Sequence, residues 1–242
     1  MSGHSKWSTI KRKKGVADQK RGKIFSKISK IITIAARDGG GDPSSNFKLR
    51  LAMDKARSVN MPQDNIERAI KKGTGELAGG SQIENVTYEA YGPGGIAIMI
   101  DTITDNKNRT VSELKKILSD HEGKLGGSGS VSWMFERKGV IRISEFNMEN
   151  RENIELLAIE NDASDIKEEE KNLVINITPE RLTNLKDILD KEGIKVDSAE
   201  VELITKNPVK IEDKGILGKI EKLMEVLDEH EDVNEIYSNI EN

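Results

Sequence analysis

The apolar residues of this chain change their spacing near residue 80, and that change restricts the possible folds more than any other feature of the sequence. Before it, hydrophobic positions recur every three or four residues. After it, they alternate. From about Ala17 to Arg37 the positions Ile24, Ile28, Ile31 and Ala35 fall on one side of a helix, and Lys20, Lys23, Lys27 and Lys30 form an adjacent cationic stripe. Gly39, Gly40, Gly41, Asp42 and Pro43 break the pattern. A second helix turns Leu49, Met53, Ala56 and Val59 inward, with Lys48 and Lys55 outside. Pro62 opens a third helix, whose apolar face is Ile66, Ala69 and Ile70 and which Lys71, Lys72 and Gly73 close.

From residue 84 the period is two. Val86, Tyr88 and Ala90 alternate with polar residues, Gly92-Pro93-Gly94-Gly95 turns the chain, and Ile96, Ile98 and Ile100 complete a hairpin. Thr110-Val111-Ser112-Glu113 has capping-box spacing and predicts a helix through Leu114, Ile117 and Leu118 to about His121. Val131, Trp133 and Phe135 read as another alternating strand. Next come a strand at Val140 to Ile143, a helix at Glu149 to Ile159, and strands at Ser164 to Glu168 and Leu173 to Ile177. A helix from Thr178-Pro179 through Lys191 and a strand at Val196 to Leu203 follow. That order, βαββαβ, is a ferredoxin-like unit. Val209 and Ile211 as a strand, a helix through Ile216, Ile220, Leu223 and Leu227, and a strand at Val233 to Tyr237 complete what residues 84–136 began. The expected fold class is α+β: an N-terminal three-helix bundle followed by two small α/β sandwich (ferredoxin-like) domains, one inserted in the other. The expected boundaries are 1–79 for the helical domain, 80–137 plus 206–242 for the middle domain and 138–205 for the insertion.

Charge divides along the same line. Residues 1–75 hold 18 Lys or Arg against 6 Asp or Glu, and residues 76–242 hold 20 against 36, so that segments of +12 and −16 lie behind a net charge of only −4. A cationic module on an acidic body points to a polyanionic partner, nucleic acid above all. Lys11, Arg12, Lys13 and Lys14 form a run suited to phosphates, with Trp7 placed either to stack on a base or ribose or to anchor the tail on the bundle. The longest apolar runs, such as Ile96 to Ile100, fall far short of the ~20 residues that span a bilayer, and lysines stand where a secretory signal would be apolar. A cytoplasmic protein with no membrane partner is therefore expected. The absence of cysteine excludes disulfides and thiolate chemistry.

Catalytic machinery is hard to find. Gly73-Thr74-Gly75-Glu76-Leu77-Ala78 satisfies GxGxxA, but it follows a helix where a dinucleotide fingerprint needs a strand. Gly123 to Gly129 is glycine-dense yet lacks the lysine of a phosphate-binding loop. His4, His121 and His230 lack metal-ligand spacing. Glu89, Asp101 and Asp105 form the one acidic set of the kind a Mg²⁺-dependent nuclease uses, although Asp105 and Asn106 serve equally well as turn and helix-start residues. No enzyme, catalytic residue, bound metal, cofactor or small-molecule substrate is expected. The aromatic content of 4% argues against an extensive stacking platform.

Gly3-His4-Ser5-Lys6-Trp7, Lys20-Arg21-Gly22-Lys23-Ile24-Phe25, Ala35-Ala36-Arg37, Gly40-Gly41-Asp42-Pro43, Asn60-Met61-Pro62 and Lys72-Gly73 together resemble the YebC/PmpR family. Tyr91-Gly92-Pro93-Gly94-Gly95, Thr104-Asp105-Asn106, Asn108-Arg109-Thr110 and Gly129-Ser130-Val131 continue the resemblance, which departs at Lys124, where the family usually has Asn before Leu-Gly. It implies three domains, a helical bundle and two α/β domains nested one in the other. It also implies nucleic-acid-contact roles for Lys6, Lys20, Arg21, Lys23, Arg37 and Lys72. To these the charge pattern adds Lys11, Arg12, Lys13, Lys14 and Lys27, and the capacity to stack adds Trp7. Asn106, Asn108, Arg109 and Thr110 make a second polar patch, either functional or a helix-start cluster.

The family is described both as DNA-binding transcriptional regulators and as ribosome-associated translation factors that help synthesis through stretches such as proline runs. The expected function is accordingly regulation of gene expression through nucleic-acid binding, with rRNA on the ribosome as the leading target. Duplex DNA at promoters is the alternative, and a nuclease a distant third.

Overall fold

The computed structural model describes residues 18–77, 83–146, 148–169 and 172–241. The chain forms two compact units, Phe135–Lys206 and the remainder on either side of it.

Among the described residues, the first unit opens with α1 (Asp18–Gly39), α2 (Phe47–Ser58) and α3 (Gln63–Gly73). Ile28, Ile32, Ala35 and Ala36 of α1 meet Leu49, Ala52, Met53 and Ala56 of α2 and Ile66 and Ala69 of α3. One buried side chain joins the end of α1 to the start of α2: Asn46 Nδ2 donates to the Ala35 and Gly40 carbonyls, both at 2.7 Å, while its Oδ1 accepts from Leu49 N at 3.1 Å. This is an N-cap shared with the preceding helix. Gly73 does not serve as the left-handed stop that its position in the sequence implies. A Cβ there would lie 2.3 Å from the Thr33 carbonyl oxygen, so glycine is what lets α3 cross α1 closely. The stop is Gly75 at φ +80°, after which Glu76 N donates to Lys71 O at 2.9 Å.

The chain then forms β1 (Glu84–Tyr91), β2 (Ala97–Thr104), α4 (Lys107–Asp120) and β3 (Lys124–Leu125). Helix α4 starts three residues before the expected capping box. Asn106 is the N-cap, accepting from Arg109 N at 3.1 Å, and Thr110 lies inside the helix, fully buried. A second departure follows. Val131, Trp133 and Phe135 are not a strand: Ser132–Met134 is a 3₁₀ turn, and the strand begins only at Phe135. Its amides explain this, because those of Gly129, Val131 and Ser132 donate to the Glu89 carboxylate instead of to a neighbouring strand.

The second unit is β4 (Phe135–Ile143), α5 (Met148–Glu160), β5 (Asp165–Glu169), β6 (Asn172–Ile177), α6 (Leu182–Lys191) and β7 (Ser198–Thr205). Its antiparallel sheet has the order β5-β6-β4-β7. Ile141, Ile143, Leu173, Ile175 and Ile177 bury one face against Ile154 and Ala158 of α5 and Leu182, Leu185 and Leu189 of α6. Arg142, alternating with Ile141 and Ile143, lies on the other face. There its guanidinium makes a two-pronged buried pair with Glu202, Nη2 donating to Oε2 at 2.9 Å and Nη1 to Oε1.

Finally α7 (Lys214–Glu229) and β8 (Val233–Ser238) return to the first unit. Strand β8 pairs with β2 and gives the sheet order β3-β1-β2-β8. Ile96, Ile98 and Ile100 pack under Leu114 and Leu118 of α4 and Leu223 and Leu227 of α7. The expected strand at Val209 and Ile211 is reduced to one bridge between Val209 and Ile240. The architecture is α+β, a helical region followed by two four-stranded antiparallel sheets with helices.

Candidate nucleic-acid interface

On α1 the lysines at positions 23, 27 and 30 recur at helical spacing, and what they face decides whether the stripe is open to a ligand. They face the end of α7, whose last carbonyls have no partner within their own helix. Lys23 Nζ donates to Glu229 O at 3.4 Å, Lys27 Nζ to Asp228 O, and Lys30 Nζ to Glu231 O at 3.3 Å. Lys23 and Lys27 satisfy end carbonyls of α7 and the negative end of its dipole, and Lys30 reaches the Glu231 carbonyl just past the helix. Lys23 and Lys27, expected to grip nucleic acid, are thus engaged on the chain itself.

Just beyond α7 lies Asp232, whose carboxylate has no solvent exposure. It accepts from Lys30 Nζ at 2.7 Å, Arg109 Nη2 at 2.8 Å, Thr110 Oγ1 at 2.8 Å and Thr104 Oγ1 at 3.2 Å. Burial alone would push this carboxyl up. The hydrogen bonds from Lys30, Arg109 and Thr110 prevail and hold it at about 2, below its ordinary 3.8. A carboxylate depressed in the folded state stabilises above its unfolded pKa, and that stabilisation disappears as pH falls through the folded value. About 2 kcal/mol is therefore expected to be lost between roughly pH 4 and pH 2. Urea titrations across that window should show a steeper fall for the native protein than for Asp232→Asn, and equal slopes would refute the assignment.

The second polar patch is largely absorbed by this junction. Asn106 caps α4, Arg109 also pairs with Asp105 at 3.1 Å, and Thr110 is buried beneath, which leaves Asn108 exposed. Arg37 is occupied as well, its guanidinium donating to the Ile83 carbonyl and to Asp38 at 3.1 Å, just where the chain enters β1.

The cations left outward lie on α2 and α3. Lys72 is exposed, with Arg68 and Lys71 beside it at helical spacing on the face of α3 opposite Ile66 and Ala69. On α2, Arg50 lies over the Phe47 ring at 5.5 Å and Arg57 pairs with Asp54 at 3.1 Å. Both line a shallow concavity of about 210 Å³ with Pro43, Ser44 and Met53. Arg50, Arg57 and Arg68 carry no role in the sequence pattern and Lys71 figures there only as a helix-closing residue, although Arg68 and Lys71 stand opposite the apolar positions of α3 and Arg50 and Arg57 flank Met53 on α2. Lys6, Trp7, Lys11, Arg12, Lys13 and Lys14 lie outside the described residues, as do the side chains of Lys20 and Arg21.

The three acidic residues weighed for a nuclease have separate duties. Glu89 Oε1 accepts from Gly129 N at 2.7 Å, and Oε2 accepts from Val131 N at 2.7 Å and Ser132 N at 2.9 Å. Burial opposes its charge, but those amides hold its pKa below the usual carboxylate range. Asp101 accepts from Thr87 Oγ1 at 2.6 Å, and Asp105 pairs with Arg109. Among the described residues, the metal-competent group that does form is Glu113, His230 and Asp232. There His230 Nε2 lies 2.9 Å from Glu113, and its Nδ1 accepts from Asp232 N at 3.1 Å. Lys30 and Arg109 already hold the Asp232 carboxylate, and their charges oppose a cation. Among the described residues, no helix is long and apolar enough to cross a membrane.

Residues 5–76 match the family model described as the TACO1/YebC protein N-terminal domain, and residues 83–240 match the one described as the TACO1/YebC second and third domain. A protein of Syntrophus aciditrophicus named "Probable transcriptional regulatory protein" is 49% identical over 241 residues, spanning 100% of this chain and 96% of that protein. One of the same name from Chlorobium chlorochromatii is 50% identical over 242 residues, with 100% and 96% covered. The crystal structure of a conserved hypothetical protein from Aquifex aeolicus superposes with a TM-score of 0.84 at 42% identity, over 95% of this chain and 93% of that one.

Proposed function

This chain belongs to the TACO1/YebC family, and from that premise we propose that it is a non-enzymatic regulator of gene expression that grips nucleic acid through its helical module, residues 1–79. The observation that carries the reading is charge: a net +12 over residues 1–75, of which Arg68, Lys71 and Lys72 stand exposed on one face of α3. The target in this proposal is ribosomal RNA. The acidic parts, residues 80–137 with 206–242 and the inserted 138–205, then shape or contact the translation site. Sequence-selective binding of duplex DNA at promoters is the second reading, and the relatives' name, "Probable transcriptional regulatory protein", favours it.

Contact with ~6–8 phosphates gives log K a slope of about −5 to −7 against log salt. Replacing Arg68, Lys71 and Lys72 with Ala is expected to make that slope shallower by up to about three, with folding unchanged because all three are exposed. Co-sedimentation of the native and substituted proteins with ribosomes from a DNase-treated lysate, at two salt concentrations, is the direct test. Salt-sensitive pelleting weakened by the substitutions supports the ribosomal reading. Absence from ribosomes with retained binding to duplex DNA of a particular sequence reverses the order, and an unchanged slope removes α3 from the interface.

A further inference from the structure

The aromatic side chain left exposed among the described residues is Trp133, with 60% of its surface accessible. A single exposed apolar residue is ordinary, but the way this one is held is not. Tyr91 Oη and Trp133 Nε1 both donate to the same carbonyl, that of Ser130, at 3.0 and 3.2 Å. The polar atoms of both rings are thus satisfied inside the protein, and what remains of the indole to offer a partner is apolar surface. Across the β1–β3 ladder Tyr91 stands directly opposite Lys124, whose ammonium lies 5.3 Å from the Tyr91 ring centroid.

The segment that presents the indole is pinned from beneath. Glu89 accepts from the amides of Gly129, Val131 and Ser132, committing a largely buried carboxylate to a stretch rich in glycine. A site set on a loop needs this kind of support to hold its geometry. Gly129 needs its φ of +83°, but Gly127 does not have a positive φ and a Cβ there would meet nothing within 4 Å. Packing therefore leaves the identity of residue 127 open, and its backbone is free to approach a ligand closely.

We infer that Trp133, Tyr91 and Lys124 form a small stacking site for an unpaired nucleobase of RNA, with the indole as platform and the Lys124 ammonium available to the adjoining phosphate. This deepens the proposed function and rests on it: the helical module supplies sequence-independent grip, and this site supplies a preference for single strands. Stacking on an aromatic residue tolerates any base, so the preference is for strandedness rather than sequence.

The test uses the full chain with Trp7→Phe, which leaves Trp133 as the single indole, since the sequence has two tryptophans. The probes are an eight-nucleotide oligouridylate and an RNA duplex of the same length. Oligouridylate is expected to quench Trp133 emission. Trp133→Ala in the otherwise native protein should weaken single-strand binding roughly 10- to 100-fold at an unchanged salt slope and leave duplex binding as it was. Trp133→Phe should recover part of the loss. If Trp7→Phe perturbs folding, the difference in emission between the native protein and Trp133→Ala gives the same readout. Unaltered emission, with Trp133→Ala binding both probes as the native protein does, overturns the stacking site while the salt-dependent grip of the helical module, and with it the proposed function, stands. Failure of the native protein to bind RNA or DNA at low salt overturns both.

Discussion

Arg142→Met is expected to destabilise the Phe135–Lys206 unit by about 3–5 kcal/mol, the usual cost of removing one partner from a buried ion pair. The substituted chain keeps an apolar side chain of similar length, so little packing is lost. What it keeps as well is the Glu202 carboxylate, 2% exposed and without its guanidinium. In the native pair, burial works against the Arg142 charge and the Glu202 bonds outweigh it, so that the guanidinium pKa is raised. The decisive comparison is the double variant Arg142→Met/Glu202→Leu. Two apolar side chains in place of the pair should recover most of the loss, because the Glu202 carboxylate is then no longer buried without the guanidinium. Hydrogen exchange at the amides of β4 and β7, which the pair connects, reads this unit separately from the rest of the chain. A single variant as stable as the native protein would mean that the pair contributes nothing.

Asp232→Ala is the second large effect, expected at about 2–4 kcal/mol in the first unit. It removes the common acceptor of Lys30, Arg109, Thr110 and Thr104, and two of those donors are cations brought together by the carboxylate. Lys30 and Arg109 retain 19% and 36% side-chain exposure, so water recovers part of their solvation and the loss stays below that of a fully enclosed pair. Thr110 is fully buried and has no such recourse, although its hydroxyl still reaches the Asn106 carbonyl at 3.0 Å. A cycle with Lys30→Met separates the contributions, since Lys30→Met should cost much less once Asp232 is gone. Additive losses, with no coupling between the two positions, would refute the shared-acceptor account.

These two positions also show where the sequence was readable. The inserted unit was legible because its strands are short apolar runs separated by helical periods, and the side chains that set the pattern, from Ile141 to Leu189, are those that fill the core. The bundle was legible for the same reason. The start of α4 was legible in part: Asn106, open as a helix-start residue, is the N-cap, whereas Thr110 to Glu113 satisfies the capping pattern as a string but Thr110 lies inside the helix, its hydroxyl donating to Asp232, 122 residues further along. The lysine stripe of α1 was legible as a spacing but not in what it faces within the chain. Spacing places Lys23, Lys27 and Lys30 on one face, yet it is the end of α7, some 200 residues away, that receives them. The alternation at Val131, Trp133 and Phe135 was a false strand because a carboxylate from β1 took the amides that a ladder would have used. Local periods predict elements well when apolar burial decides them. They predict poorly where one polar side chain reaches across the fold.

The shared amide of Asn46 carries a consequence for how the bundle opens. Because one side chain satisfies the Ala35 and Gly40 carbonyls at the end of α1 and the Leu49 amide at the start of α2, neither helix end frays without exposing the other's unpaired groups. The two helices therefore share a single opening event, and the turn between them behaves as the interior of one cooperative segment rather than as a hinge.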